Sequence, residues 1–381
     1  MTRILAFGTY NKRKHPRVGI IIDGLRQHGC EVREINHPLT LSTAGRVELL
    51  KKPWKLLGFA ADVMGLWIRL RRDAKRWIRD NGRPDAVLVG YMGHFDVLLA
   101  HHLFHGIPIL LDHLIFAGDT ARDRGASGLK VKLLRHLDRM AIDASSLVLL
   151  DTEEHKAMLR PGDHGIVVPV GASEEWYEAR SNAHKRDKGI IFYGLYTPLQ
   201  GTPVIAEAIR LLAKRGVTPH VTLVGQGQDY DAVHSRLERL ENVEFIDWVE
   251  PEDLPRLVAE YSIALGIFST TPKGLHVVPN KVYQSMAAGC AVITSDTAPQ
   301  RRELGDSALF TQPGSSEALS EAILQLLENP SKLEGLMKDA ERSSQRFTAF
   351  EITRPIVRWL QARHEFAVIH TSRITDQREG R

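Results

Sequence analysis

A chain of 381 residues and 42.7 kDa has the length of two ordinary domains. Its 43% hydrophobic and 25% charged residues exclude collagen, coiled-coil and disordered classes. The net charge of +4 conceals an asymmetry: ten Lys and Arg against four acids between Arg46 and Asp80 give that window +6 and leave the rest of the chain at −2.

Two cysteines, Cys30 and Cys290, are too few for a disulfide framework or a Cys-x-x-Cys zinc site. A cytoplasmic protein is the expectation, since a core of this size needs no covalent staples. The opening apolar run is shorter than a secretory signal requires. Leu56–Ile68, interrupted by Asp62, is shorter than the roughly 20 residues that cross a bilayer.

In chain order, short apolar runs alternate with amphipathic ones. Arg3–Gly8 reads as a buried strand. A helix opened by Pro16 places Val18, Ile21, Ile22 and Leu25 on one face and ends at Gly29. Strands follow at Glu31–Glu34, Asp85–Gly90, Ile107–Asp112, Ser146–Asp151 and Ile166–Val170. Between them lie the long basic region and helices near Phe95–Leu103 and Gly128–Ala141. Gly171–Lys188 is polar and reads as a linker. The alternation restarts with strands Gly189–Gly194, His220–Gly225, 243–247, Ile263–Phe268 and Cys290–Ser295. The helices here are Thr202–Arg215, Tyr230–Leu240, Glu252–Glu260 and Asn280–Ala288. Helices Ser315–Leu327, Ser331–Arg346 and Ile352–Phe366 finish the pattern, and a polar tail after Thr371 reads as disordered.

Continuous apolar strands between helices specify parallel sheets covered on both faces. The expected fold is α/β: a Rossmann-like domain over 1–170, the linker 171–188 and a second such domain over 189–350. Residues 351–381 add a last helix, able to cross back to the first domain, and the tail. Ligands of such sheets bind at strand carboxyl ends, so the cleft between domains is the expected site.

Three glycine-bearing turns end strands there: Gly8-Thr9-Tyr10, Gly194-Leu195-Tyr196 running to Gln200-Gly201, and Gly225-Gln226-Gly227. Each either lets backbone N–H groups approach an anion or only makes a tight turn. None matches the dinucleotide or Walker A pattern. Asp229 and Asp231 fit the start of a helix better than a metal site, and no metal is expected. In the basic stretch, Trp54, Leu56, Leu57, Phe59, Trp67 and Trp77 interleave with cations. That pattern suits an interfacial helix meeting anionic lipid, or a helix packed on the sheet.

Thr270–Asp296 carries the most specific motif, with Gln284-Ser285-Met286-Ala287-Ala288-Gly289 followed by Ala291-Val292-Ile293. It resembles the donor-binding motif of retaining GT-B glycosyltransferases of family 4 (glycosyltransferase group 1), in a Pro279-Asn280-Lys281 variant. The resemblance extends through Phe192–Gly201, Val221–Gly227, Val243–Leu254 and roughly Leu309–Phe347, and more loosely through Ile107–His113. It implies GT-B architecture and transfer of a sugar from a nucleotide-diphosphate sugar, with retention and without a metal or separate cofactor. A UDP-sugar is the favoured donor. The acceptor would be a glycan, a lipid-linked or a small-molecule alcohol, not a nucleic acid. Residues 46–80 would supply a peripheral contact with the inner face of a membrane.

The resemblance further implies site residues. His113, Asp112 and Lys281 would act at the reacting centre. Gly194, Leu195, Gln200, Gly225, Gly227, Trp248, Val249, Lys273, Asn280, Lys281, Val282 and Gln284 would hold the donor. Gly8, Thr9, Tyr10, His15, Arg17, His94 and Asp119 would lie on the acceptor side. Four positions depart from the family pattern: Gln284 and His276 stand where paired glutamates are usual, and Leu195 and Gln200 where an arginine and a lysine usually grip the diphosphate. Lys281 and Lys273 are the cations left nearby. A catalytically impaired GT-B binding protein, or a GT-B epimerase or phosphorylase, remains the alternative.

Overall fold

The structure, a computed structural model, describes residues 1–13, 15–39, 55–123, 125–181, 183 and 185–363. The first sheet is built from β1 (Arg3–Gly8), β2 (Glu31–Asn36), β3 (Ala86–Val89), β4 (Ile109–Asp112), β5 (Leu147–Leu150) and β6 (Gly165–Val167), all parallel, in the order β2-β1-β3-β4-β5-β6. The second is built from β7 (Arg186–Tyr193), β8 (Val221–Val224), β9 (Val243–Ile246), β10 (Tyr261–Leu265), β11 (Ala291–Ser295) and β12 (Leu309–Thr311), in the order β12-β11-β10-β7-β8-β9. The sequence β3 AVLV, β4 ILLD and β5 LVLL is buried at every position, as strands covered on both faces must be.

The order of strands reverses once in each sheet, between β1 and β3 and between β7 and β10. Carboxyl ends at such a reversal diverge and leave a crevice. The helix 349–363 ties the two domains together. Its Ile352, Ile356 and Leu360 share one core with Ile20, Ile21 and Leu25 of α1 (Arg17–Gln27). Gly24 of α1 lies so close that a Cβ there would stand 2.0 Å from the Ala349 carbonyl.

Several elements differ from the sequence reading. The stretch taken as a linker holds a helix, Glu174–Ser181, whose Trp176 and Tyr177 are buried against the second domain. Its charged residues mask two aromatic anchors in adjacent positions. Strand β12 was not expected, because three residues, Leu309–Thr311, are too short for a period to show. Strand β6 ends at Val167 rather than Val170. The tail after Thr371 lies outside the described residues.

The basic stretch takes the second of its two readings, a helix packed on the sheet. Within α2 (Lys55–Asn81), Leu66, Leu70 and Ala74 are buried at helical spacing, and Trp67 and Trp77 pack on the same core. Phe59 meets Phe95 edge-on at 6.4 Å. The tryptophans therefore face the sheet. Met64 and Ile68 are the exposed large apolar residues among those described in this helix, beside Arg69, Arg71, Arg72 and Arg76. Trp54 and the side chains of Leu56 and Leu57 lie outside the described residues.

Asp112, expected at the reacting centre, is instead structural. Arg17 donates from Nε to its Oδ1 at 2.7 Å and from Nη1 to the Val168 carbonyl at 2.8 Å, with both side chains 1% exposed. The pair links α1 to β4 inside the core, so neither residue reaches the cleft. Removing one partner of such a pair leaves a buried charge uncompensated. Asp112→Ala should therefore cost about 3–5 kcal/mol in urea unfolding, and Arg17→Met added to it should restore much of the loss. Equal stability of wild type and Asp112→Ala would show that the pair does not hold these elements together.

Candidate functional site

A cavity of about 310 Å³ opens between the domains. The second domain lines it with Tyr193, Gly194, Leu199, Gln200, Lys273 and residues 277–281 and 284; Leu114, Ile115, Asp151 and Val170 line the first-domain side. It lies at the carboxyl ends of β4, β5 and β7.

The donor-motif helix, α3 (Asn280–Ala287), starts at the cavity. Its N-cap is Pro279, with no side-chain cap, so the first N–H groups are left for a ligand or water. Asn280, Lys281 and Gln284 share the cavity face, while Val282 turns into the core. Lys281 is 6% exposed. Its Nζ sits 3.7 Å over the Phe192 ring centroid and has no hydrogen-bond partner among the described residues. Burial holds this amine well below its ordinary value of 10.5. The Tyr193 hydroxyl donates to the Lys281 carbonyl at 3.0 Å and fixes the backbone beneath it.

The glycine turns of this domain make room around that amine. A Cβ on Gly194 would stand 3.0 Å from Lys281 Nζ, and one on Gly225 would stand 2.1 Å from the Gly194 carbonyl. Gly194 therefore leaves space for the amine, and Gly225 lets the two turns abut. Gly227 packs likewise on Tyr196. Gln200 Oε1 is buried and unpartnered among the described residues. Leu195 is half exposed and Trp248 is 68% exposed; Val249 is partly buried against the core. These three and Gly225, Gly227 and Val282 do not line the cavity, whereas Gly194, Gln200, Lys273, Asn280, Lys281 and Gln284 do. Lys273 Nζ donates across to Thr120 Oγ1 at 3.2 Å.

The first domain is rearranged most. His113 and His94, expected to face the cleft, are 2% and 6% exposed in a buried cluster. His94 Nε2 pairs with Asp138 Oδ1 at 2.9 Å, and the two imidazoles lie 4.9 Å apart. Leu114 and Ile115 stand at the cavity in place of His113. Burial pushes the His113 imidazole down to about 3, with His94 adding to the fall, so it is neutral at physiological pH. Burial raises the Asp138 carboxyl, but the bonds from His94, Gly118 N–H and Ala117 N–H outweigh it and hold the group below the usual range.

His94, His113 and Asp138 place three ligand atoms within 4.8 Å of one another, the one such group among the described residues. Asp138 Oδ1 already accepts from His94 and from Ala117 N–H at 2.8 Å, and Oδ2 from Gly118 N–H at 3.0 Å. Asp138 is thus satisfied by the protein's own donors, while His113 Nε2 is buried without a hydrogen-bond partner among the described residues. Sequence reasoning missed Asp138. Its signal was an acid in the apolar stripe of Val131 and Ala141 on the helix Leu129–Asp143.

The remaining residues expected on the acceptor side make contacts within the first domain. Thr9 donates from N and Oγ1 to Asp96 Oδ2 at 2.7 and 2.8 Å, and a Cβ on Gly8 would meet that oxygen. Tyr10 donates to Glu34 at 2.9 Å, the His15 ring lies 4.3 Å from Tyr91 and tilted by 47°, and Asp119 accepts from Arg135 at 2.9 Å. With Arg17 bound to Asp112, none of them lines the cavity. Asp151 does, and the sequence reading overlooked it.

Residues 187–329 match the family model described as glycosyl transferases group 1. No curated protein sequence matches the chain. Among solved structures, sucrose-phosphate synthase from Thermosynechococcus elongatus is 13% identical with a TM-score of 0.69, over 97% of this chain and 100% of that one. HepE from Anabaena, solved with UDP-glucose, is 17% identical with a TM-score of 0.64, over 95% and 99%. An α,α-trehalose-phosphate synthase (UDP-forming) from Burkholderia vietnamiensis is 13% identical with a TM-score of 0.64, over 95% and 97%. The chain has the GT-B fold, and its second domain carries the glycosyltransferase group 1 match.

The buried amine yields a stability prediction. Below pH 10.5 the unfolded chain protonates Lys281, while the folded chain resists until its lower value is reached. The lysine therefore costs stability as pH falls from about 10.5 through the folded value. Lys281→Met, which keeps the stem against Phe192, should raise the urea midpoint of the ligand-free protein at pH 7. The gain should shrink toward pH 10.5. A midpoint that falls at pH 7 would contradict an uncompensated amine.

Proposed function

We propose that the chain is a glycosyltransferase that moves a sugar from a nucleotide-diphosphate sugar to an acceptor hydroxyl, with retention and without a metal. The observation that carries this reading is the Lys281 amine, desolvated and without an anion of its own, at the open N-terminus of α3 in the cleft. The group 1 match over residues 187–329 supports it. The names of fold neighbours that bind or form UDP favour a UDP-sugar as donor.

In this reading the diphosphate lies against Lys281 and the free N–H groups of Asn280 and Lys281. Binding brings the anion that the amine lacks, so Lys281 is charged in the complex and offsets the charge that develops on the leaving diphosphate. Gln284, one turn along the same face, offers an amide to a ribose hydroxyl without adding negative charge. The first domain holds the acceptor, and closure excludes water that would hydrolyse the donor. The Asp112 and His113 side chains do not line the cavity, so this reading assigns the chemistry to neither.

Calorimetry with UDP and uridine tests the assignment. Lys281→Ala should weaken UDP by about 1.5–3 kcal/mol, the scale of a charge-assisted hydrogen bond, and uridine far less. Lys281→Met should behave like Ala. Equal losses for both ligands would mean that Lys281 acts through the fold.

A lipid-borne acceptor is the second element of the proposal. Helix α2 exposes Met64 and Ile68 among four arginines. No helix among the described residues is long and apolar enough to cross a membrane, and the contact proposed for α2 is a peripheral one. Co-sedimentation with liposomes should rise with anionic lipid content and fall with salt. Recovery in the supernatant at every composition would leave this helix with a packing role alone.

A further inference from the structure

The cavity wall contributed by the first domain consists of Leu114, Ile115, Val170 and Asp151. Three are apolar, so Asp151 is the polar side chain on that wall. It follows β5 and is 2% exposed, yet it borders the cavity. Its Oδ1 accepts from His155 Nδ1 at 2.5 Å. Thr152 caps the short helix Glu153–Lys156 by accepting from His155 N–H at 3.2 Å, which fixes the distance between aspartate and histidine. The same turn is tied to the second domain. Thr152 Oγ1 donates to the His276 carbonyl at 3.1 Å, and Arg302 donates twice to Glu154 at 2.8 and 2.9 Å. An aspartate oriented by a histidine is thus held at the cavity by bonds to both domains.

Chemistry sorts the two walls. The second-domain wall offers donors: the Lys281 amine, the uncapped N–H groups of α3 and the amides of Asn280 and Gln284. Those suit phosphate. A carboxylate repels phosphate and accepts from hydroxyls. Along a nucleotide sugar, the group between the diphosphate and the first domain is the sugar, which is rich in hydroxyl donors. We infer that Asp151 accepts a hydrogen bond from a hydroxyl of the transferred sugar, making it a specificity-determining residue, with His155 as the positioning residue behind it. The inference rests on the proposed glycosyltransferase function. The apolar neighbours Leu114 and Ile115 would exclude water around that bond and sharpen its dependence on hydroxyl configuration.

The test compares binding of a nucleoside diphosphate with binding of its sugar conjugate, in the absence of acceptor. Wild type is titrated with UDP-, GDP-, ADP- and TDP-glucose and with UDP-galactose and UDP-N-acetylglucosamine. The tightest conjugate and its parent diphosphate are then titrated into Asp151→Asn. The parent diphosphate should bind within about twofold of wild type. The conjugate should bind about 10- to 100-fold more weakly, the value of one hydrogen bond to a charged group. Conjugates lacking one hydroxyl at a time should lose affinity for wild type but not for Asp151→Asn at a single position. His155→Asn, whose amide replaces Nδ1–H, should keep more affinity than His155→Ala. Asp151→Asn is isosteric and relieves repulsion of Asp112, so a folded variant is expected. Unchanged conjugate affinity in Asp151→Asn overturns the inference and leaves the function standing. Failure of every conjugate to bind wild type instead removes the proposed function, and the inference with it.

Discussion

An amine buried without an anion is the constraint around which the second domain is organised. Lys281 lies on a regular helix whose Val282, Tyr283 and Met286 are fully buried, so its backbone cannot move to bring the charge into water. The head group is confined by Phe192 below and Gly194 beside it. Aromatic contact recovers part of the lost hydration but not the whole of it. The unliganded protein therefore carries a strain that an anion in the cleft would relieve. A lysine in a mobile loop would carry no such strain, and would also have to be ordered on binding.

The first domain treats charge in the opposite way. Arg17 and Asp112, His94 and Asp138, Thr9 and Asp96 are all paired inside it. Each pair sits near a strand's carboxyl end, where topology alone suggests a ligand site. Pairing there ties the turns to the helices behind them, which gives the cavity a rigid wall of Leu114, Ile115 and Val170. The cleft thus joins a wall with unspent donors to one whose polar groups are largely consumed by the fold. Asp151 is the exception on that side.

The two-domain, parallel architecture was legible because four-residue apolar runs between amphipathic helices admit few other folds. The helix Asn280–Ala287 was legible through its motif, whose resemblance to glycosyltransferase group 1 sequences put Asn280, Lys281 and Gln284 at one site, and all three line the cavity. What failed were assignments that depended on the direction of a side chain at a strand's end. His113 sits one residue past β4, and strand alternation does not extend into the turn. Leu114 and Ile115 take the cavity face, and the imidazole goes inward to His94. Topology places a residue near the cleft, but packing decides whether it looks in. The tryptophans of α2 left two readings open, because period alone does not say which face is wet when cations surround both; Trp67 and Trp77 take the one that packs on the sheet.

The same reasoning explains why Asp138 and Asp151 went unread. Each is a single acid in an otherwise apolar neighbourhood, one in a helix stripe and the other at the end of SLVLLD. An isolated acid in such a place must find partners, because burying an unpaired carboxylate costs more than any packing gain nearby. The partners are distant in sequence for Asp138, at His94, Ala117 and Gly118. For Asp151 the partner is His155, four residues on, across a capped turn. That i, i+4 pair was present in the sequence, and its meaning depends on the turn being a helix rather than a loop. The distinction decides function as well as structure. A carboxylate oriented from within its own turn can face the cleft, whereas one whose bonds are used to pin other elements, as with Asp138, cannot.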